Sequence, residues 1–278
     1  MYLLSQFQGI VYLVPVERNA KVYWITGASS GIGEALALLL ARPGNALILS
    51  GRDNQALQSV AAQIDQRVEV LVLPFDLRQM DLFPELVTKA IGFKGYVDVL
   101  INNAGMSQRA PAMETSAEVE QRIMTVNYFA PVALTKALLP HFIARGSGHI
   151  VVVSSIAGKF GFALRSSYAA AKHALHGYFE ALRLELKDIP VFVTLVCPGR
   201  VNTRISFNAL KGDGSQHNVL DEGQRKGITA QHCARVIDKA IAQKKYEVLT
   251  GKWELLPVYL RRYFPPVFYW LIKKVNAT

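Results

Sequence analysis

The sequence predicts an α/β fold, a doubly wound parallel sheet covered by helices on both faces in three layers. Short apolar runs at 21–26, 46–50, 68–73 and 97–101 alternate with helical stretches at 34–41, 54–64 and 81–91. Such alternation implies parallel strands joined by right-handed crossovers. The first apolar run leads through a glycine-rich turn straight into a helix, which is how such sheets begin a ligand site. The chain has 278 residues, 51% of them hydrophobic, enough for one large domain with a sizeable core.

Composition excludes several classes. The two cysteines, Cys197 and Cys233, form no disulfide framework and no CxxC-like pair, which implies a reducing, cytosolic-facing setting. The six histidines show no zinc-site spacing, so no metal is expected. The formal net charge of +10 suits nucleic acid, an anionic membrane surface or an anionic cofactor. Nucleic acid is excluded because there is no zinc finger, no RNP-like strand and no basic helix interleaved with stacking aromatics. Residues 1–16 lack a charged n-region and are interrupted by Gln6, Gln8 and Pro15, unlike a secretory signal. No uncharged run is long enough to predict a transmembrane helix.

In chain order, 1–20 is an N-terminal extension with a short strand at 10–16 and a turn at 17–20. The main domain is expected over 21–250. The turn at 26–33 reads TGASSGIG. Gly27 permits the tight turn, Gly31 lets the backbone approach a pyrophosphate, and Gly33 lets helix and strand pack closely. The helix start offers free N–H groups and the positive end of its dipole to phosphates. The second strand ends in Ser50-Gly51-Arg52-Asp53. A carboxylate near this position would take a ribose 2′-hydroxyl, whereas Arg52 suits a 2′-phosphate, with Ser29 and Ser30 adding hydroxyls. This favours NADP(H) over NAD(H). Asp53 reads as the N-cap of the next helix.

The chemistry centres on Tyr168 and Lys172, four residues apart in a helical run and so on one face, thirteen residues after Ser155. A phenol ordinarily titrates near ~10. A neighbouring ammonium favours phenolate and brings the group toward neutral pH. A serine hydroxyl beside it would hold a substrate oxygen. The trio suits proton transfer in carbonyl–alcohol interconversion.

Together, TGASSGIG at 26–33, Asp76-Leu77, NNAG at 102–105, Asn127, SSIAG at 154–158, the Tyr168/Lys172 pair and PGRVNT at 198–203 resemble the classical short-chain dehydrogenase/reductase family over roughly residues 20–250. The resemblance implies a seven-stranded Rossmann sheet. It implies that Tyr168 is the general acid or base and also contacts the cofactor, that Lys172 binds the nicotinamide ribose and lowers the phenol pKa, and that Ser155 binds the substrate oxygen. Asn127 would bend its helix and anchor a proton-carrying water. Asp76 would accept from the adenine amino group, with Leu77 supplying backbone. Ile32 belongs to the glycine turn, and Asn103, Ala104 and Gly105 would line the adenosine side. Pro198, Gly199, Val201 and Thr203 would meet the nicotinamide end. The family commonly assembles as dimers or tetramers. NAGMSQR at 103–109, SFNALKGDGS at 206–215 and the tail from Val258 are further similar to the member 7 branch of dehydrogenase/reductases, whose animal members are membrane-associated.

Residues 205–228, rich in Gly, Asn, Asp and Gln, read as a mobile substrate lid. Met106, Ile156, Phe160, Phe162 and Ile205 would form an apolar substrate pocket. The segment 251–278 has five basic residues and one acidic one from Lys252 onward, with aromatics and prolines concentrated over 253–272. It suits either a peripheral membrane contact or a helix packing on a second subunit. The expected activity is NADP(H)-dependent reduction of a lipidic, steroid-like or aromatic carbonyl, in the cytoplasm or at a membrane surface. A cofactor-binding sensor without turnover is the alternative.

Overall fold

The computed structural model describes residues 20–273 in full and the backbone of 2–7 and 10–15. Strand β1 (Tyr2–Phe7) pairs antiparallel with β2 (Ile10–Pro15). The turn expected at 17–20 lies, apart from Ala20, outside the described residues. The main domain then runs β3 (Val22–Thr26), α1 (Gly31–Leu40), β4 (Ala46–Ser50), α2 (Asn54–Ala61), β5 (Glu69–Val72), α3 (Phe83–Lys94) and β6 (Val99–Asn102). It continues through α4 (Ala117–Met124), α5 (Ala130–Arg145), β7 (Gly148–Val153), α6 (Ser166–Glu185), β8 (Val191–Pro198) and β9 (Val201–Asn202). Last come α7 (Glu222–Arg225), β10 (Ile228–Thr229), α8 (Ala230–Ala242), β11 (Glu247–Thr250), α9 (Leu256–Tyr263) and α10 (Pro265–Ile272).

Seven parallel strands form the sheet in the order β11-β8-β7-β6-β3-β4-β5. The winding reverses between β3 and β6, so a crevice opens outside the carboxyl ends of those strands. Side chains alternate across the sheet. Val22, Trp24, Ile48, Leu100 and Ile150 face α3, α5 and α6, where Phe83, Leu134, Phe142 and Phe179 are fully or almost fully buried. Tyr23, Ile25, Leu47, Leu49 and Ile101 face α1, α2 and α8, against Leu36, Leu57 and Ile237. Each buried aliphatic or aromatic side chain contributes about 1.5–3 kcal/mol. Both faces are dry, which explains the near-continuous apolar runs in place of strict alternation.

Several boundaries differ from expectation. Helix α1 begins at Gly31, three residues before the apolar pattern, because the glycines themselves form its first turn. The stretch expected as helix from 81 opens as a 3-10 turn, Met80–Leu82, and α3 then runs on to Gly95, whose φ of 82° ends it. The long helix expected around Asn127 is interrupted by a π-helical stretch, Thr125–Phe129, between α4 and α5. Such a bulge bends a helix and redirects one side chain. The C-terminal segment folds back on its own chain as α9 and α10, with Pro257, Pro265 and Pro266 in first-turn positions that need no N–H donor. There Phe268, 3% exposed, packs edge-on against Phe160 at 5.2 Å.

Candidate active site

The crevice is one cavity of about 820 Å³, within the range of small-molecule sites. Its cofactor half is built from backbone turns. Gly27 and Gly31 have φ of 66° and 59°, a region open to glycine at little strain. Asn103 ties two strand ends together, donating Nδ2 to Thr26 O at 2.9 Å and its backbone N–H to Thr26 Oγ1 at 3.0 Å. Ser30 makes no side-chain capping bond, and Gly31 and Ile32 line the cavity, so the first-turn amides of α1 are presented to it. A β-carbon on Gly31 would stand 3.1 Å from Thr203 Cγ2. This close, open-amide cradle fits the pyrophosphate of a dinucleotide.

Of the residues expected at the site, Ser29, Ser30, Arg52, Asp76, Leu77, Asn103, Ala104, Gly105, Pro198, Gly199, Val201 and Thr203 also line the cavity. Gly33 does not. A β-carbon there would lie 2.0 Å from Gly27 O, so this glycine acts by letting helix and turn pack. Asn127 does not reach the cavity either and is fully buried behind it. Its Oδ1 accepts from Met106 N at 2.9 Å and its Nδ2 donates to Met106 O at 2.8 Å, pegging the loop that carries Gly105 and Met106. The π-helical stretch aims Asn127 inward for this contact.

Two departures concern charge. The Asp76 carboxylate, expected to accept from an adenine amino group, is gripped by Arg78, whose Nε and Nη2 donate to it at 3.0 Å and 2.6 Å. Those bonds hold its pKa below the ordinary carboxylate value, with Arg52 adding a weaker pull. Arg78 is absent from the sequence reading, and the Asp-x-Arg spacing is the local signal that could have found it. Ser29, Arg52, Asp53, Asp76 and Arg78 together shape a polar hollow at the outer end of the crevice. Asp53 caps α2 as expected, accepting from Ala56 N at 3.0 Å.

At the other end, Ser155, Tyr168 and Lys172 converge on the cavity. Ser155 follows the end of β7, where its hydroxyl accepts from Ala157 N at 3.1 Å and donates to Pro198 O at 3.4 Å. Ser154 points away, donating to Lys172 O at 3.2 Å and contacting His176 Nε2 at 3.1 Å, which leaves Ser155 as the serine of the site. Lys172 Nζ donates to Val153 O at 2.8 Å and stands 5.8 Å from the Tyr168 ring centroid. Burial lowers its pKa to about 8. The phenol departs from expectation. Burial raises its pKa, and the neighbouring Ser155 hydroxyl and then the charges of Arg165 and Arg109 oppose the rise. Lys172 is itself desolvated and turned to a backbone carbonyl.

Met106, Ile156, Phe160, Phe162 and Ile205 line the other half of the cavity, together with Leu210, Trp253 and Ile272. The 205–228 segment is pinned down. Arg109 N donates to Leu210 O at 2.8 Å, Leu210 N to Ser107 O at 2.9 Å, and Ser116 N to Gly212 O at 2.9 Å. Asp221 is buried in an ion pair with Arg109 and, at 3.1 Å, with Arg165. Nothing local in the sequence marks that cluster, because its members are 56 and 112 residues apart.

A doubly wound sheet, an open-amide glycine turn at its switch point and a tyrosine–lysine–serine cluster beside it define a dinucleotide-dependent oxidoreductase. The short chain dehydrogenase family matches residues 21–213, and this chain belongs to it. It is 40% identical over 260 residues to a dehydrogenase/reductase SDR family protein 7-like of Drosophila melanogaster, covering 91% of this chain and 80% of that one. Its fold is similar to that of a short-chain dehydrogenase/reductase from Burkholderia phymatum in complex with NAD, with a TM-score of 0.79, 26% identity and coverage of 95% and 98% of the two chains. It is also similar to a short-chain dehydrogenase from Sphingobium yanoikuyae in complex with NADPH, with a TM-score of 0.73, 26% identity and coverage of 92% and 96%. Among the described residues no helix is long and apolar enough to cross a membrane.

Proposed function

We propose that this protein is an NADP(H)-dependent reductase of apolar carbonyl compounds, with Tyr168 as the acid in reduction and the base in oxidation. The observation that carries the reading is the convergence of Ser155, Tyr168 and Lys172 on one wall of the cavity that also holds the open turn of α1. A bound nicotinamide dinucleotide supplies or accepts the hydride. The chain's residues bind, orient and move the proton. Ser155 donates to the substrate oxygen and stabilises charge developing there. The Tyr168 hydroxyl gives its proton to that oxygen and is re-protonated through the Lys172 side. The first-turn amides of α1 hold the pyrophosphate.

Arg52, with Arg78 beside it, supports the preference for a 2′-phosphate, since two cations line the outer hollow while of its carboxylates Asp76 is engaged by Arg78 and Asp53 caps α2. Ile156, Phe160, Phe162 and Ile272 support an apolar substrate. The exposed aromatics Trp253, Tyr263 and Trp270, among basic residues Lys252, Arg261 and Arg262, support peripheral contact of α9 and α10 with an anionic lipid surface. Deleting 253–278 should then abolish vesicle binding.

The deciding experiment is cofactor consumption by the purified protein over lipidic, steroid-like and aromatic carbonyls, with NADPH and NADH in parallel. Turnover preferring NADPH is expected. Tight NADPH binding with no turnover on any class would favour a sensor, and a preference for NADH would overturn the role given to Arg52.

A further inference from the structure

Helix α10, PPVFYWLI, carries no charged residue. One of its faces closes the cavity. Phe268 is buried against Phe160 and Ile156, and Ile272, one turn further on, lines the cavity itself. Val267, Tyr269 and Leu271, on its other sides, are exposed. Helix α9 repeats the arrangement. Its Pro257 lines the cavity, while Leu256, Tyr259 and Tyr263 are exposed. A helix that is apolar all round belongs in an apolar medium all round. The protein supplies that medium to α10 on one side.

Charge decides what supplies the other. Lys252, Arg261, Arg262 and Lys273 surround the exposed apolar side chains with positive charge. The acidic residue of this stretch, Glu254, is turned inward, where its Oε1 accepts from Arg200 N at 2.9 Å and its side chain lines the cavity. A symmetric contact with a second copy would set these cations against themselves. An anionic lipid surface matches both the cations and the apolar faces, with Tyr and Trp rings at headgroup level. At eight residues each, α9 and α10 are too short to cross a bilayer and suit its surface.

We propose that α10 is a lipid-facing gate: its outer face lies in an anionic bilayer, and the carbonyl substrate passes from the lipid, past α10, into the cavity. The inference rests on the reading of the protein as a reductase of apolar carbonyls and deepens it, because it makes the bilayer the source of the substrate and not only a place of attachment. One helix thickness separates the lipid side from Phe160 and Phe162 in the cavity wall. A compound that partitions out of water is thus taken from the phase that concentrates it.

The test uses the full chain with vesicles of phosphatidylcholine, with and without phosphatidylserine. Trp24 is fully buried, so lipids brominated in their acyl chains report on Trp253 and Trp270. Quenching is expected on the serine-containing vesicles and should be lost in Leu271→Glu. Turnover with NADPH is then followed on two ketones, one long-chain and vesicle-borne, the other short, aromatic and water-soluble. Val267→Glu, which places an acid in the first turn of α10 where the helix dipole favours it, is the second variant. Both variants should lower the rate on the vesicle-borne ketone by about tenfold and keep the soluble one within about twofold, which shows the fold intact. Each variant is also tethered to nickel-chelating lipid through an N-terminal histidine tag. A defective gate stays slow when tethered, whereas a lost anchor recovers. Recovery to the wild-type rate, an undiminished rate in the untethered variants, or no quenching would overturn the gate and leave the reductase reading standing. Quenching without turnover of either ketone would overturn the reductase reading, and the gate with it. A dimer that Leu271→Glu dissociates, with no quenching, would give the face to a second copy.

Discussion

The two halves of the cavity are built by different means. The cofactor half is made of main chain, with glycines at 27 and 31 in a left-handed conformation and Asn103 lacing two strand ends. The substrate half is made of side chains brought from distant segments, with Asp221 on Arg109 and Arg165, and Phe268 on Phe160. A main-chain site depends on a few residues close together in sequence. A side-chain site depends on the whole fold being complete. The difference separates what a short stretch of sequence encodes from what only the folded chain assembles.

The largest expected effect breaks the cofactor half alone. Gly33→Ala puts a β-carbon 2.0 Å from Gly27 O and 2.6 Å from Asn103 Nδ2. Neither turn nor helix can shift without losing the cradle. Overpacking of this kind costs on the order of 3 kcal/mol, equivalent to about a hundredfold in an equilibrium constant. Calorimetric titration should show NADPH affinity reduced by that order, together with a lower melting temperature. Unchanged affinity would mean that the turn is not the phosphate cradle.

A smaller effect should fall on the other half. Phe268→Ala removes the ring that seats α10 on Phe160, and Ile272 of that helix lines the cavity. Losing one buried aromatic contact at a partly exposed helix should raise KM for an apolar carbonyl roughly tenfold. NADPH affinity should not change. Parallel losses in both quantities would show that the halves are not independent.

The smallest effect touches neither half. His149 and His176 are buried, and burial lowers their pKa values, that of His149 to about 3. Both folded-state values lie below the unfolded one, so stability is fully present above about 6.5 and falls as pH drops toward the folded values. Each histidine held neutral should cost roughly 0.8 kcal/mol at pH 6, more at lower pH. Denaturant unfolding at pH 7 and pH 6 measures this. A His176→Gln variant should show a shallower loss than wild type.

The same division explains what the sequence revealed. TGASSGIG and NNAG are local, and each glycine or asparagine acts within a few residues of its neighbours, so spacing alone located the cradle and the sheet's switch point. Ser155, Tyr168 and Lys172 were legible because one strand end and one helix turn suffice to bring them together. Arg109 with Asp221 was not legible, since no local pattern records a contact across 112 residues. The Tyr168 environment was misread for a related reason. Helical spacing placed Lys172 beside the phenol, but only the packed structure reveals Lys172 Nζ drawn to Val153 O and the ring desolvated. Asn127 was found by register, while its hold on Met106 depends on a π-helical stretch that composition does not encode.

The central claim is that Tyr168 moves the proton. The direct measurement pairs NADPH affinity with single-turnover carbonyl reduction in wild type and Tyr168→Phe. The account predicts NADPH affinity within about twofold of wild type and a reduction rate lower by ~10²–10⁴. A Tyr168→Phe protein that binds NADPH equally well and still reduces the carbonyl at the wild-type rate would contradict it.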